Sequence, residues 1–206
     1  MHKVLLILIT IVGLTICVWY DGYPRSDVDG YLPEVIINKV GQMNPELTQV
    51  EQEELVRQQQ LLIKQIDNLH RHQTMILHIK SRGGNTDAGY DIINAIKTTR
   101  GVVIGQDEGS ADSMAGIILI ECPEIRFKGP FTYVLFHSAR THDPVTGEVG
   151  FADPGVAAVN ARFQVELNGI LTDEELRIMF VDHKDVTLSA TQLAPRLCER
   201  MGKACD

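Results

Sequence analysis

The chain is short of positive charge. Its 206 residues carry 19 Lys and Arg against 27 Asp and Glu, a formal net charge of -8 with no basic patch. Proteins that hold phosphate backbones need the opposite balance, so nucleic acid is excluded as a partner. Cysteine is also sparse: only Cys17, Cys122, Cys198 and Cys205. Their spacing does not make a zinc site, and nothing else in the sequence asks for a metal or cofactor. Cys198 and Cys205 lie close together near the C-terminus, as a disulfide pair or as two free thiols. Internal repeats and low-complexity segments are absent. Long apolar runs are absent too, with one exception.

That exception is residues 4–20, which contain no charge and are mostly Leu, Ile and Val. The run falls within the roughly 17–25 residues that cross a bilayer as a helix. Trp19 and Tyr20 close it, where aromatic rings favour the lipid interface. Lys3 precedes it, whereas Asp21, Asp27 and Asp29 follow. The positive-inside rule then puts the rest of the chain outside the cytoplasm. A cleaved signal peptide is the alternative, but no small-x-small cleavage site lies near Tyr20. The expectation is a single-pass membrane anchor over residues 1–20, a Gly/Pro-rich linker over 21–33 and one domain over 34–206.

Within that domain, strands alternate with helices. Residues 35–41, 74–80, 101–105, 124–127 and 132–137 read as strands. Helices are expected over about 45–69, 86–99, 156–171 and 172–180, with a last one from Ser189 to about Met201. Asn85 or Thr86 can cap the second of these. Residues 106–112 and 140–154 read as loops. The pattern predicts an α/β domain with largely parallel pairing.

The chemistry sits between the third strand and the next apolar helix, in Gly109-Ser110-Ala111-Asp112-Ser113-Met114-Ala115-Gly116. A serine among small residues at a helix start offers its hydroxyl beside free backbone N–H groups that favour an oxyanion. Small residues at that place equally serve close packing. Serine hydrolysis also needs a base and its orienting partner. His137, at the end of the apolar strand Tyr133-Val134-Leu135-Phe136, is the candidate base, and Asp185 the candidate orienting carboxylate. Gly83-Gly84 can bring backbone N–H close to a substrate carbonyl, or simply make a tight turn.

Four segments in this order resemble the Clp-type serine peptidases, whose fold is a crotonase-like α/β spiral. They are Ser81-Arg82-Gly83-Gly84-Asn85-Thr86-Asp87-Ala88-Gly89, Ala111-Asp112-Ser113-Met114-Ala115-Gly116, Leu135-Phe136-His137 and Asp185-Val186-Thr187-Leu188-Ser189-Ala190. The resemblance implies a serine endopeptidase with Ser113 as nucleophile, His137 as general base and Asp185 as the orienting acid. It implies an oxyanion hole from the N–H groups of Gly84 and Met114. It also implies substrate pairing along Gly83, Asn85 and Thr86, and a homo-oligomer packed through the helix at 156–171. Polypeptides are the implied substrates, and an ATP-dependent unfoldase partner is left open.

Two residues depart from the family pattern. Arg82 stands in place of a proline, and Asp112 in place of a small residue directly before the serine. They keep a second reading alive, a catalytically silent peptide-binding homologue. A third reading, a signal-peptide-peptidase-like enzyme on the same fold, needs a lysine base, and no lysine lies near the serine segment.

Overall fold

The computed structural model describes residues 7–11, 14–18, 26–31, 49–142, 146 and 149–201. The chain forms a mixed α/β fold. Strands β1 (Ile7–Ile11) and β2 (Leu14–Val18) pair antiparallel, Ile7 opposite Val18. This hairpin replaces the helix expected over the apolar run. Ile7, Ile9, Ile11, Ile16 and Val18 are β-branched, and such residues sit more easily on a pleated strand. No helix among the described residues is long and apolar enough to cross a membrane.

Strand β3 (Ser26–Tyr31) falls inside the segment read as a linker. Its sequence is not strand-like; a parallel ladder with β4 (Gln73–Ser81) holds it extended. The strand expected at 35–41 lies outside the described residues. Helix α1 (Gln49–Asp67) precedes β4, and α2 (Thr86–Thr98) follows it. Strand β5 (Val102–Asp112) is twice as long as expected, because residues 106–112 are strand rather than loop. Then come α3 (Met114–Ile120), β6 (Glu124–Phe127) and β7 (Tyr133–Phe136). A small hairpin of β8 (Thr141–His142) and β9 (Val149–Gly150) follows. Helices α4 (Pro154–Leu167) and α5 (Asp173–Phe180), strand β10 (Val186–Ser189) and helix α6 (Ala190–Arg200) complete the chain.

The main sheet has six strands in the order β10-β7-β5-β4-β3, with β6 also on β5. All pairings are parallel except β10 on β7. Strand β5 changes neighbour along its length: Ile104–Asp107 pair with β6, and Ser110–Asp112 with β7. The core lies between the sheet and helices α2 and α3. Met75, Leu77 and Ile79 of β4 share one buried cluster with Ile92, Ile93 and Ile96 of α2, and all seven residues of α3 are buried. Each large side chain so buried is worth about 1.5–3 kcal/mol. Gly89 permits the closest approach: a Cβ there would lie 2.2 Å from Met114 Cγ.

The caps follow the sequence reading. The Asn85 side chain accepts from Ala88 N–H at the start of α2, and Thr172 and Glu175 form a capping box on α5. Helix α4 starts two residues early, because Asp153 caps it and Pro154 fits its first turn. It ends before Asn168, ahead of Gly169 at φ +78°.

Candidate active site

The sheet brings the four sequence segments to one edge. Strands β4, β5 and β7 are parallel, so their carboxyl ends share a side, and β10 enters from that side because it is antiparallel. Gly83-Gly84 follow β4, Ser113 follows β5, His137 follows β7, and Asp185 precedes β10. Crevices outside the carboxyl ends of parallel strands are where open α/β sheets bind ligands.

The glycine turn rests directly on the serine segment. Gly83 has φ +84° and Gly84 φ +137°. A Cβ on Gly83 would lie 2.4 Å from Asp112 O and 2.8 Å from both Met114 N and Ser113 Cβ. Only glycine fits that contact and that backbone. The Ser81 hydroxyl, buried at the end of β4, accepts from Gly83 N–H at 3.1 Å and fixes the turn. Asn85 spends its side chain on capping α2, and Thr86 is already that helix's first residue. The extended stretch therefore stops at Asn85, one residue short of the expected substrate-pairing segment.

Ser113 has φ +56° and ψ -126°, a conformation that non-glycine residues rarely adopt. Such strain costs about 1–3 kcal/mol and persists only where the surroundings enforce it. Here Ser113 N–H donates to Leu135 O at 2.6 Å, tying the serine to the histidine strand. The serine side chain makes no capping bond to α3.

His137 is half-buried. Its Nδ1 lies 2.8 Å from Ser138 O, and a carbonyl can only accept, so Nδ1 carries the proton. In the neutral ring that leaves the Nε2 lone pair available as a base. Ser138 is itself buried, with its Oγ 3.4 Å from His183 Nδ1. His183 stacks on Phe151 with ring centres 3.8 Å apart. Asn160 of α4 holds the next residue from both sides: it accepts from Ala139 N–H at 2.6 Å and donates to Ala139 O at 3.2 Å. Ser138, Asn160 and His183 were not readable as site residues, since each acts through a contact between segments far apart in the chain.

Asp185 is exposed. The register that pairs Val186 with Phe136 brings it to the position beside His137. The Nδ1 proton it would accept in a catalytic triad is instead given to Ser138 O. Asp112 ends β5 with its Oδ1 buried and, among the described residues, without a hydrogen-bond partner. Burial pushes its carboxyl above the usual range, with Arg82 and His137 opposing and Asp185 adding to the rise. The site is thus ringed by one cation, one imidazole and two carboxylates. Among the described residues no group of three or more His, Cys, Asp or Glu side chains is arranged to hold a metal ion. Cys122 is a free, buried thiol that burial pushes up to about 12, while Cys198 is disulfide-bonded.

Over 80 residues the chain is 31% identical to ATP-dependent Clp protease proteolytic subunit 1 of Chlamydia caviae, an overlap covering 38% of this chain and 42% of that protein. The chain thus spans about two fifths of the curated relative it matches. A structure of an asparagine-to-aspartate mutant of ClpP1 from Listeria monocytogenes superposes with a TM-score of 0.47 at 19% identity, covering 72% of this chain and 81% of that one. The Clp protease family profile matches residues 37–148, more than half of the chain and a stretch that includes the glycine turn, Ser113 and His137. On that match, the chain belongs to the Clp protease family.

Proposed function

We propose that the protein is a serine endopeptidase that cleaves peptide bonds with Ser113, His137 and Asp185. The observation that carries this reading is the row of four strand ends, with Ser113 held at φ +56° between the Gly83 turn and the histidine strand. In this reaction Ser113 Oγ attacks the scissile carbonyl and passes its proton to His137 Nε2. His137 then gives that proton to the leaving amine. The N–H groups of Gly84 and Met114 receive the oxyanion, and Asp185 orients the imidazole. An extended peptide lies along Gly83 to Asn85 as an added strand. The substrates are polypeptides, in keeping with the family.

A homo-oligomer accompanies this reading. Helix α4 is the proposed contact, since Val165 on it is 76% exposed. Anchorage through residues 4–20 and an extracytoplasmic position rest on the uncharged run and its flanking charges alone. A membrane-impermeant serine probe is expected to label intact cells; labelling only after lysis overturns that placement.

A second reading, a peptide-binding homologue without turnover, is favoured by one observation: His137 Nδ1 donates to Ser138 O rather than to Asp185. A fluorophosphonate probe on the purified full chain separates the two. Covalent labelling that Ser113→Ala abolishes, together with loss of peptide hydrolysis by about 10⁴-fold or more, is the expected result. Absence of labelling in an assembled, folded protein would leave only the binding function.

A further inference from the structure

Asp112 is the carboxylate at this edge that the proposed reaction leaves without a task. Its buried Oδ1 has no partner among the described residues, and leaving such an acceptor unmet costs roughly 1–3 kcal/mol. The sheet register shows what it faces. Side chains alternate along a strand, and Asp112 pairs with Leu135. Asp112 therefore projects to the face of Leu135, on the strand that His137 follows. Leu135 in turn pairs with Thr187 of β10, the strand that Asp185 precedes.

The charges around Asp112 come from every neighbouring element. Arg82 lies on the turn after β4, His137 after β7 and Asp185 before β10, and Asp107 is on its own strand. His183 Nδ1 lies 3.4 Å from the Oγ of Ser138, the residue after His137. His137 meanwhile spends its Nδ1–H on a neutral carbonyl, and Asp185 stands in water. A carboxylate screened by water stabilises a cation less than one partly withdrawn from it.

Resting on the peptidase reading above, we infer that Asp112 is a positioning residue, supplying the negative charge that stabilises the imidazolium of His137 as Ser113 attacks. The proton moves from Ser113 Oγ to His137 Nε2 and on to the leaving amine; Asp112 neither gains nor loses one. Arg82 favours its ionised form against the pull of burial.

The test uses the full-length chain. Asp112→Asn removes the charge and keeps the shape. It is expected to lower kcat/KM about tenfold at neutral pH with KM unchanged, and to move the acid limb of the pH profile down by about one unit. Asp112→Glu restores part of both. A second measurement is independent of turnover and of the active serine. In Ser113→Ala protein, the nuclear magnetic resonance titration midpoint of His137 is expected to fall by about one pH unit when Asp112→Asn is added. Superimposable titration curves overturn the inference. So does a faster Asp112→Asn enzyme with an unmoved acid limb, which would mean that the carboxylate opposes the oxyanion. If wild type neither hydrolyses peptide nor labels while the titration shifts, the coupling stands and the peptidase reading falls.

Discussion

The carboxylates of Glu166 and Asp112 are both withdrawn from water, and burial pushes both above the usual range, yet their company differs. Glu166, 8% exposed, accepts from Tyr90 O–H at 3.0 Å and from Arg162 Nε at 3.3 Å. Arg162 also lies over the Tyr90 ring, 3.1 Å from its centre, and Arg200 donates to Glu166 O at 2.7 Å. That cluster joins α2, α4 and α6, and both carboxylate oxygens are met. At the strand ends the opposite holds. Asp112 has an unmet oxygen, Ser113 a strained backbone, and Gly83 a contact that admits no side chain. A buried polar group whose bonds are complete serves to hold elements together. Unmet polar atoms and strain in one place mark the region that stability alone did not shape.

The largest effect that sharpens this contrast is expected from Gly83→Ala. The new methyl group has to displace Asp112 O or Met114 N, moving Ser113 from its position. Hydrolysis should fall by about 100-fold or more, since a displacement of ~1 Å at a reacting group is that costly. A rate within twofold of wild type would mean that the turn does not govern the serine. On the other side, Glu166→Ala leaves the buried Tyr90 hydroxyl without its acceptor. Thermal or urea unfolding should show a loss of about 1–3 kcal/mol, with activity per folded molecule unchanged.

Glu166 also has a pH signature. Its folded-state pKa lies above the ordinary 4.5, so the folded protein keeps a proton that the unfolded chain gives up. The stability this contributes is complete below about 4.5 and is lost as pH rises through the folded-state value. Glu166→Gln should remove that part of the decline in melting temperature above pH 4.5. Parallel curves for the two proteins would count against it. The smallest effect is expected from Asn160→Ala, which frees Ala139, two residues after the proposed base His137. A drop in kcat of roughly 3–10-fold with little change in KM is expected; a change in KM alone would place Asn160 in substrate binding instead.

The candidate residues stand out in the sequence because each lies beside a local signal: two glycines at a turn, small residues before an apolar helix, a histidine closing a strand. The helix cap at Asn85 was legible for the same reason. What the sequence concealed depends on pairing across the sheet. Residues 106–112 read as a loop because Gln106, Glu108 and Ser110 are polar, yet they form the half-exposed face of a strand whose other face buries Asp107 and Ala111. Strand β10 is only four residues long and takes its identity from the ladder with β7. Among the described residues, strand β3 has its ladder with β4. The apolar run at the N-terminus obeyed its β-branched residues rather than its length.

The change of neighbour along β5 has a mechanical sense. Among the described residues, β7 and β10 are joined to the other strands of the sheet through Ser110, Ala111 and Asp112 and the Ser113 N–H bond to Leu135 O. Ser113 continues the strand that runs through the centre of the sheet, whereas His137 and Asp185 hang on this short splice. Sub-global opening there parts His137 from Ser113 while the core stays intact. Amide protons of Val134 and Leu188 should then exchange before those of Met75 and Val103, and hydrolysis should fail on heating before the fold does.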